Sequence, residues 1–202
     1  MKIKIIFAML LAATFISATV IERRKYNLSK DYSVSIHGTS NLHSWDESVE
    51  IVLGDAVVNW NDDGSFDIAA VNIKMNVLSI KSDMGSIMNS NTYKALKADQ
   101  NPEVFFKLTI PVKSTPAGSK EWKVAAKGNL TIAGVTKSVD VNVKISVREN
   151  GILAIEGLQT IKMSDYSIDP PTALFGTLKT GDEITINFKV NLISINNTIN
   201  NS

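Results

Sequence analysis

The chain has 202 residues, of which 44% are hydrophobic and 20% are charged, and this balance is typical of a soluble globular domain rather than a disordered chain. Its 21 basic and 20 acidic residues leave a formal net charge of +1 at pH 7, so no strong overall field draws the protein to nucleic acid or anionic lipid. Cysteine is absent and histidine occurs only twice, which excludes disulfides, thiolate metal sites and cysteine nucleophiles.

The N-terminus has the layout of a secretory signal peptide. A lysine-containing start precedes an apolar run over Ile5–Ile16, and the small residues Ser17 and Ala18 follow. The run is short for a transmembrane helix, although an uncleaved anchor or a core helix is the alternative. We therefore predict a signal peptide at 1–18 and a periplasmic or secreted protein. It is not expected to be an integral membrane protein, because charges, glycine or asparagine interrupt every later apolar stretch.

The next part of the chain shows the period-two alternation of β-strands. Apolar and polar residues alternate over 31–36 and over 48–53, and 56–60 continues the second strand after a break at Gly54. Val49, Ile51 and Leu53 are assigned to one apolar face of that strand. Asn61–Gly64 then predicts a hairpin turn.

Two irregular segments follow. The apolar phase switches between Ile68 and Val71, which predicts a β-bulge. Residues 82–100 lack alternation and place Met84, Ile87 and Met88 at helical spacing. This spacing predicts one or two short helices near 82–100, which we place over a barrel mouth. Asn101-Pro102 ends them, because proline disfavours a helical conformation in the residue before it.

The second half alternates more regularly. Strands are predicted over 104–112, 122–132, 139–147 and 184–192, with a less regular one over 152–163. Ala133-Gly134 and Asn150-Gly151 predict tight turns between them.

These patterns predict an all-β protein. About eight strands each have one apolar and one polar face, which is typical of an antiparallel sheet. Because several strands are long and joined by tight turns, we favour a closed antiparallel β-barrel over a sandwich. A single domain is predicted over 19–195, followed by a frayed Asn-rich tail at 196–202.

No catalytic constellation is recognisable, and we predict that the protein is not an enzyme. His37 and His43 flank a predicted turn over 38–41. A metal site or an acid–base pair is one hypothesis for them. Hydrogen bonds that cap the turn are the favoured interpretation, so no metal is predicted.

The barrel interior is the candidate binding site. An eight-stranded barrel is either filled by its own side chains or holds one small ligand, and the sequence leaves both alternatives open. The residues predicted to face the lumen are Val34, Ile36, Ile73, Met75, Phe106, Leu108, Val124, Ala126, Leu130, Val141, Val143, Ile186 and Phe188.

Several segments, taken in order, resemble one known family. The segment Leu130–Val139 (LTIAGVTKSV) resembles the strand–turn–strand signature of the YceI-like family of exported, lipocalin-like, polyisoprenoid-binding proteins. Asn101–Phe106, Ile161–Ile168, Gly181–Ile186 and His37–Trp45 also resemble segments of that family. The resemblance extends from about Tyr26 to Leu192.

The resemblance implies a lipocalin-like barrel whose lumen holds an isoprenoid quinone or a polyprenyl lipid. The protein would then be a carrier or storage protein with an apolar lipid as its partner, transient membrane or membrane-enzyme contact, and no nucleic acid. A polar contact to that ligand from Asn72, Thr131 or Tyr166 is one hypothesis.

Many family members have a basic, histidine-containing motif where this chain reads Ser82–Asn89, which contains neither Arg nor His. Lys81, Lys94 and Lys97 lie nearby, with an orientation that the sequence leaves open. We therefore favour a neutral headgroup such as a quinone. The alternatives are a filled barrel that acts as a surface interaction module and a metal or enzyme site at His37 and His43.

Overall fold

The computed structural model describes residues 21–113 and 121–195. The predicted signal peptide at 1–18 and the predicted tail at 196–202 lie outside the described residues. The strands are β1 (Glu22–Ser40), β2 (Ser44–Val49), β3 (Val52–Trp60), β4 (Phe66–Asn76), β5 (Ile80–Ser82), β6 (Glu103–Leu108), β7 (Glu121–Ile132), β8 (Val135–Val147), β9 (Leu153–Lys162), β10 (Thr172–Ala173) and β11 (Leu178–Ser194). One α-helix, α1 (Ser86–Ala95), and four 3₁₀ turns at Val77–Ser79, Glu149–Gly151, Met163–Tyr166 and Leu174–Gly176 complete the described elements.

Eight of these strands form a closed antiparallel barrel, as the sequence predicts. Neighbours follow the order β1, β3, β4, β6, β7, β8, β9 and β11, and pairing of β11 with β1 closes the ring. The first half of β1 pairs with β3 and its second half pairs with β2. Each of the eight strands is therefore paired on both sides, so the ring has no free edge strand.

The prediction for 48–53 is wrong in the faces that it assigns. Strand β2 ends at Val49 and β3 begins at Val52, and because both pair antiparallel with β1, the chain continues in one direction past Glu50 and Ile51. Val49 and Val52 are buried, whereas Ile51 and Leu53 are exposed, because the alternation of faces shifts by one residue between β2 and β3. Strand β3 also continues through Gly54 without a break.

The first turn is also shorter than predicted. Strand β1 runs on to Ser40, so Gly38 to Ser40 are strand residues and the turn follows them. Gly38 pairs with Trp45 across the β1–β2 ladder, and a Cβ there would lie 2.2 Å from the Trp45 ring. Only glycine therefore permits this ring to lie flat on β1.

The predicted bulge and hairpins are confirmed. Val57 pairs with Ala70 and Val58 pairs with Ile68, so one residue of β4 is extra. The β8–β9 hairpin contains Asn150 with φ 61° and Gly151 with φ 70°. Three residues, Glu149–Gly151, form this connection between Arg148 and Ile152, and asparagine and glycine are the residues that adopt such left-handed conformations most readily.

Aromatic side chains close one end of the barrel, which we call the aromatic end. The ring centroids of Trp60 and Phe66 lie 4.8 Å apart, and those of Phe66 and Trp122 lie 5.1 Å apart. The Trp60 indole N–H donates to the Tyr26 hydroxyl over 3.1 Å, and Tyr26 is fully buried. Large rings therefore fill the interior at this end.

The opposite end, which we call the helix end, is covered by α1. None of the residues in α1 is fully buried. Tyr93 and Ala95 pack partly buried against the core, and polar contacts add to this packing. The Ser82 N–H donates to the Asn89 side chain over 2.8 Å, and the Tyr93 hydroxyl lies 2.9 Å from the carbonyls of Leu78 and Ile80. In the part of the chain that the structure describes, no helix is long and apolar enough to cross a bilayer.

Candidate functional site

The barrel encloses an apolar cavity of about 130 Å³, the lumen cavity, between its aromatic and helix ends. Its lining draws on the buried clusters of both ends. The described lining residues are Val34, Val52, Ile68, Val71, Ile73, Met75, Phe106, Leu108, Val112, Ala126, Leu130, Val139, Val141, Val143, Ile145, Ile155, Gln159, Ile186, Phe188, Val190 and Leu192. All of these side chains except Gln159 are apolar, so the cavity suits a hydrocarbon group.

Two of the residues predicted to face the lumen lie elsewhere, and the others line the lumen cavity. Ile36 is one inward position beyond Val34 on β1, so it lies closer to the helix end and lines a second cavity there. Val124 lies between Trp122 and Ala126 on β7 and packs against the aromatic-end cluster. The large rings of the aromatic end occupy the barrel interior at the level of Val124.

Glycines keep the lumen open by allowing phenylalanine rings to lie against the wall. A Cβ at Gly128 would lie 2.4 Å from the Phe106 ring, and a Cβ at Gly157 would lie 2.8 Å from Cζ of Phe188. Each ring occupies the place where a neighbouring strand has no side chain. The space in the barrel centre therefore depends on these two glycine positions.

A second, smaller cavity of about 70 Å³ lies under α1, and we call it the helix-side cavity. Four strands give one residue to the lumen cavity and the next inward residue to the helix-side cavity. These pairs are Val34 and Ile36 on β1, Leu130 and Ile132 on β7, Gln159 and Ile161 on β9, and Ile186 and Ile184 on β11. Because alternate residues of a strand are about 7 Å apart, the two cavities lie one side-chain layer apart along the barrel.

A carboxylic acid lines the helix-side cavity. Glu47 on β2 is 3% exposed and accepts a hydrogen bond from the Thr92 hydroxyl of α1 over 2.5 Å. Burial raises the pKa of Glu47, and the hydrogen bond from Thr92 opposes that shift only in part. None of the ion pairs between described residues includes Glu47.

The lysines near α1 do not line either cavity. The Lys81 ammonium donates to the Leu78 carbonyl over 3.0 Å and to the Tyr93 hydroxyl over 2.8 Å. Lys97 approaches the Ser167 carbonyl at 3.4 Å, and Lys94 is exposed. Both cavities are therefore without a cation in their described linings.

The polar residues that the sequence suggested as ligand contacts lie outside both cavity linings. Asn72 donates to Asp55, and Thr131 pairs with Thr136, on the exposed side of the wall. The Tyr166 hydroxyl is buried with no hydrogen-bond partner among the described residues, and burial raises its pKa. Other polar residues do line the cavities: Gln159 lines the lumen cavity, and Glu47, Asn91, Thr92 and Thr180 line the helix-side cavity. None of them was identified from the sequence as a site residue.

The two histidines make local contacts. Nδ1 of His37 lies 2.9 Å from Asp46, and Nδ1 of His43 lies 2.9 Å from the Ser44 carbonyl. The capping interpretation required His37 to bond within the turn. Its partner lies on the facing strand β2 instead. Among the described residues, no three His, Cys, Asp or Glu side chains come together as a metal site.

Comparison with known proteins identifies the family. A sequence model of the YceI-like domain matches residues 33–192, which is most of the chain. The chain belongs to the YceI-like family. A search of curated proteins finds no match.

Solved structures share the fold. A polyisoprenoid binding domain from Saccharophagus degradans, implicated in plant cell wall breakdown, is 12% identical with a TM-score of 0.66, over 84% of this chain and 98% of that one. BcnA from Burkholderia cenocepacia is 19% identical with a TM-score of 0.56, over 79% and 95%. The Campylobacter jejuni YceI protein is 20% identical with a TM-score of 0.53, over 72% and 82%. At these identities the likeness concerns the fold.

Proposed function

We propose that this protein binds the hydrocarbon chain of an isoprenoid-like lipid, a quinone or a polyprenyl lipid, inside its barrel. The observation that carries the proposal is the lumen cavity, whose described lining is apolar except for Gln159. Membership of the YceI-like family and the fold shared with a polyisoprenoid binding domain support it.

The size of the lumen cavity limits what it contributes to affinity. An apolar cavity of about 150 Å³ takes up benzene, so the 130 Å³ of this lumen suits a chain segment of similar size. At about 0.8 kcal/mol for each buried carbon, six carbons contribute about 5 kcal/mol before the cost of association. Even with that cost left out, this contribution alone would give a Kd no tighter than about 10⁻⁴ M. Tight binding therefore requires more of the chain to be buried, and the helix-side cavity is the nearest space that can bury it.

The proposed role is that of an exported carrier or storage protein without enzymatic activity. The apolar run and small residues at the N-terminus support export to the periplasm or the exterior. A lipid that is insoluble in water must be taken up from a membrane or a membrane enzyme, so we expect contact with one during loading.

Native mass spectrometry of the protein purified from the exported fraction of its own host tests this proposal. We expect a stoichiometric adduct that organic extraction releases and whose fragments show an isoprenoid repeat. A protein that carries no lipid, and that also fails to take up quinones and polyprenyl phosphates, would overturn the proposal. The filled barrel that acts through its outer surface would then be the better account.

A further inference from the structure

Glu47 differs from the other carboxylates for which the structure gives contacts. It lies on the inward face of β2, where its neighbours in phase are Trp45 and Val49, and all three are buried. Among the described residues that line the helix-side cavity, Glu47 is the only ionisable one. A buried charge without a partner is costly, so the surroundings favour the neutral acid.

The two protonation states of Glu47 offer different hydrogen bonds. The neutral acid has one O–H to donate, whereas the ionised carboxylate only accepts. Thr92 already donates to Oε1. A hydroxyl group, which both donates and accepts, satisfies the remaining capacity in either state, and a carbonyl oxygen satisfies that of the neutral acid.

A phosphate group is disfavoured in this cavity. Phosphate binding in proteins draws on arginine or lysine side chains or on backbone N–H groups, and the lining of the helix-side cavity has neither arginine nor lysine. Lys81 is engaged by Leu78 and Tyr93 instead. When Glu47 is ionised, a phosphate would also face a like charge at short distance.

We propose that the helix-side cavity is an end-group site that selects lipids with an uncharged, oxygen-bearing end, and that Glu47 is the residue that rejects phosphorylated ones. This inference rests on the proposed function, because it requires the chain to lie in the lumen cavity. The layer spacing of the two cavities places the end of such a chain under α1. The ligand class is therefore an uncharged isoprenoid alcohol or carbonyl compound.

A pair of ligands with the same tail tests the inference. Geranylgeraniol and geranylgeranyl phosphate differ only in the end group, and calorimetric titration at pH 8 gives both Kd values. The alkaline pH is chosen because the repulsion requires the ionised form of Glu47. With Glu47 ionised, we expect the wild-type protein to bind the alcohol at least about tenfold more tightly, since like charges this close are worth a factor of ten or more. We expect Glu47→Gln, which keeps the size and the bond from Thr92, to reduce that ratio about tenfold.

Asp46→Asn is the matched control. Asp46 directly precedes Glu47 on β2, faces the outside, and loses the same charge on substitution. The ratio of its Kd values for the phosphate and the alcohol should equal that of the wild type. Equal affinities of the wild type for both ligands, or an unchanged ratio in Glu47→Gln, would overturn the inference while leaving lipid binding intact. Failure of both ligands to bind would instead refute the proposed function and the inference with it.

Discussion

Filling the lumen cavity should raise the stability of the fold and weaken lipid binding. Ala126 on β7 lines this cavity and is 8% exposed, so Ala126→Leu would place an added isopropyl group in the space of about 130 Å³. Burying that group stabilises the fold by about 2 kcal/mol at about 0.8 kcal/mol per carbon. The gain corresponds to a rise in Tm of about 4–8 °C for a domain of this size.

The same substitution weakens binding, because the ligand loses the space that the leucine takes. The ligand then buries fewer carbons, by the number that the leucine adds. This loss lowers the binding free energy by about 2 kcal/mol, which weakens Kd about 30-fold. Calorimetric titration with geranylgeraniol and thermal unfolding followed by circular dichroism measure the two effects on one preparation.

Ala125→Leu is the control for Ala126→Leu. Ala125 directly precedes Ala126 on β7, and its side chain is exposed on the outer wall. The same change there should leave Kd within about twofold of the wild-type value. Two results would refute the reasoning. One is an Ala126→Leu variant that binds as tightly as the wild type, and the other is an Ala125→Leu variant that loses as much affinity.

Three further substitutions test the interior and the wall. Burial raises the pKa of Glu47 above its ordinary value of 4.5, so the folded state binds more protons than the unfolded one above that pH, and wild-type stability falls as pH rises through this range. The Tm of Glu47→Gln minus that of the wild type should therefore grow between pH 4 and pH 7, and a constant difference would contradict the assignment. Hydrogen bonds from the Ser164 hydroxyl and N–H lower the pKa of Asp182 from its ordinary 3.8, so their stabilisation is present above that pH and is lost in acid. Asp182→Asn should lower Tm at pH 7 and converge on the wild type near pH 2. Gly128→Val should cost about 1–3 kcal/mol in urea unfolding, because its Cβ meets the Phe106 ring at 2.4 Å, and wild-type stability would refute the close contact.

The sequence predicts the barrel well because strand phase and turn chemistry are local properties. Ala133-Gly134 and Asn150-Gly151 adopt the positive φ values that their hairpins need, and the phase switch after Ile68 is the observed bulge. The prediction failed at Glu50 and Ile51, where the alternation shifts by one residue between two strands that run in the same direction. Neither residue is a glycine or a proline, so a single alternating pattern was extended across them.

Two of the polar lining residues, Glu47 and Gln159, had a signal in the sequence that was not followed. Glu47 has the phase of Trp45 and Val49, which places a carboxyl among inward-facing residues. Gln159 has the phase of Leu153 and Ile161 on β9, but Gly157 between them made that strand irregular. Closure into a ring, and the position of α1 over it, decide which inward residues meet, and these depend on pairs such as β1 with β11 that are far apart in the chain.

The two barrel ends have different roles in this arrangement. Rings from Trp60, Phe66 and Trp122 pack against one another at the aromatic end, where an entering chain would have to separate large buried side chains. At the helix end, α1 buries none of its residues completely, and partly buried side chains and hydrogen bonds such as the one between Thr92 and Glu47 hold it. Segments with few buried apolar contacts open at lower free energy than the core. We therefore expect a lipid to exchange at the helix end, where its end group beside Glu47 enters last and leaves first; Glu47 is the residue to which we assign the choice between charged and uncharged lipids.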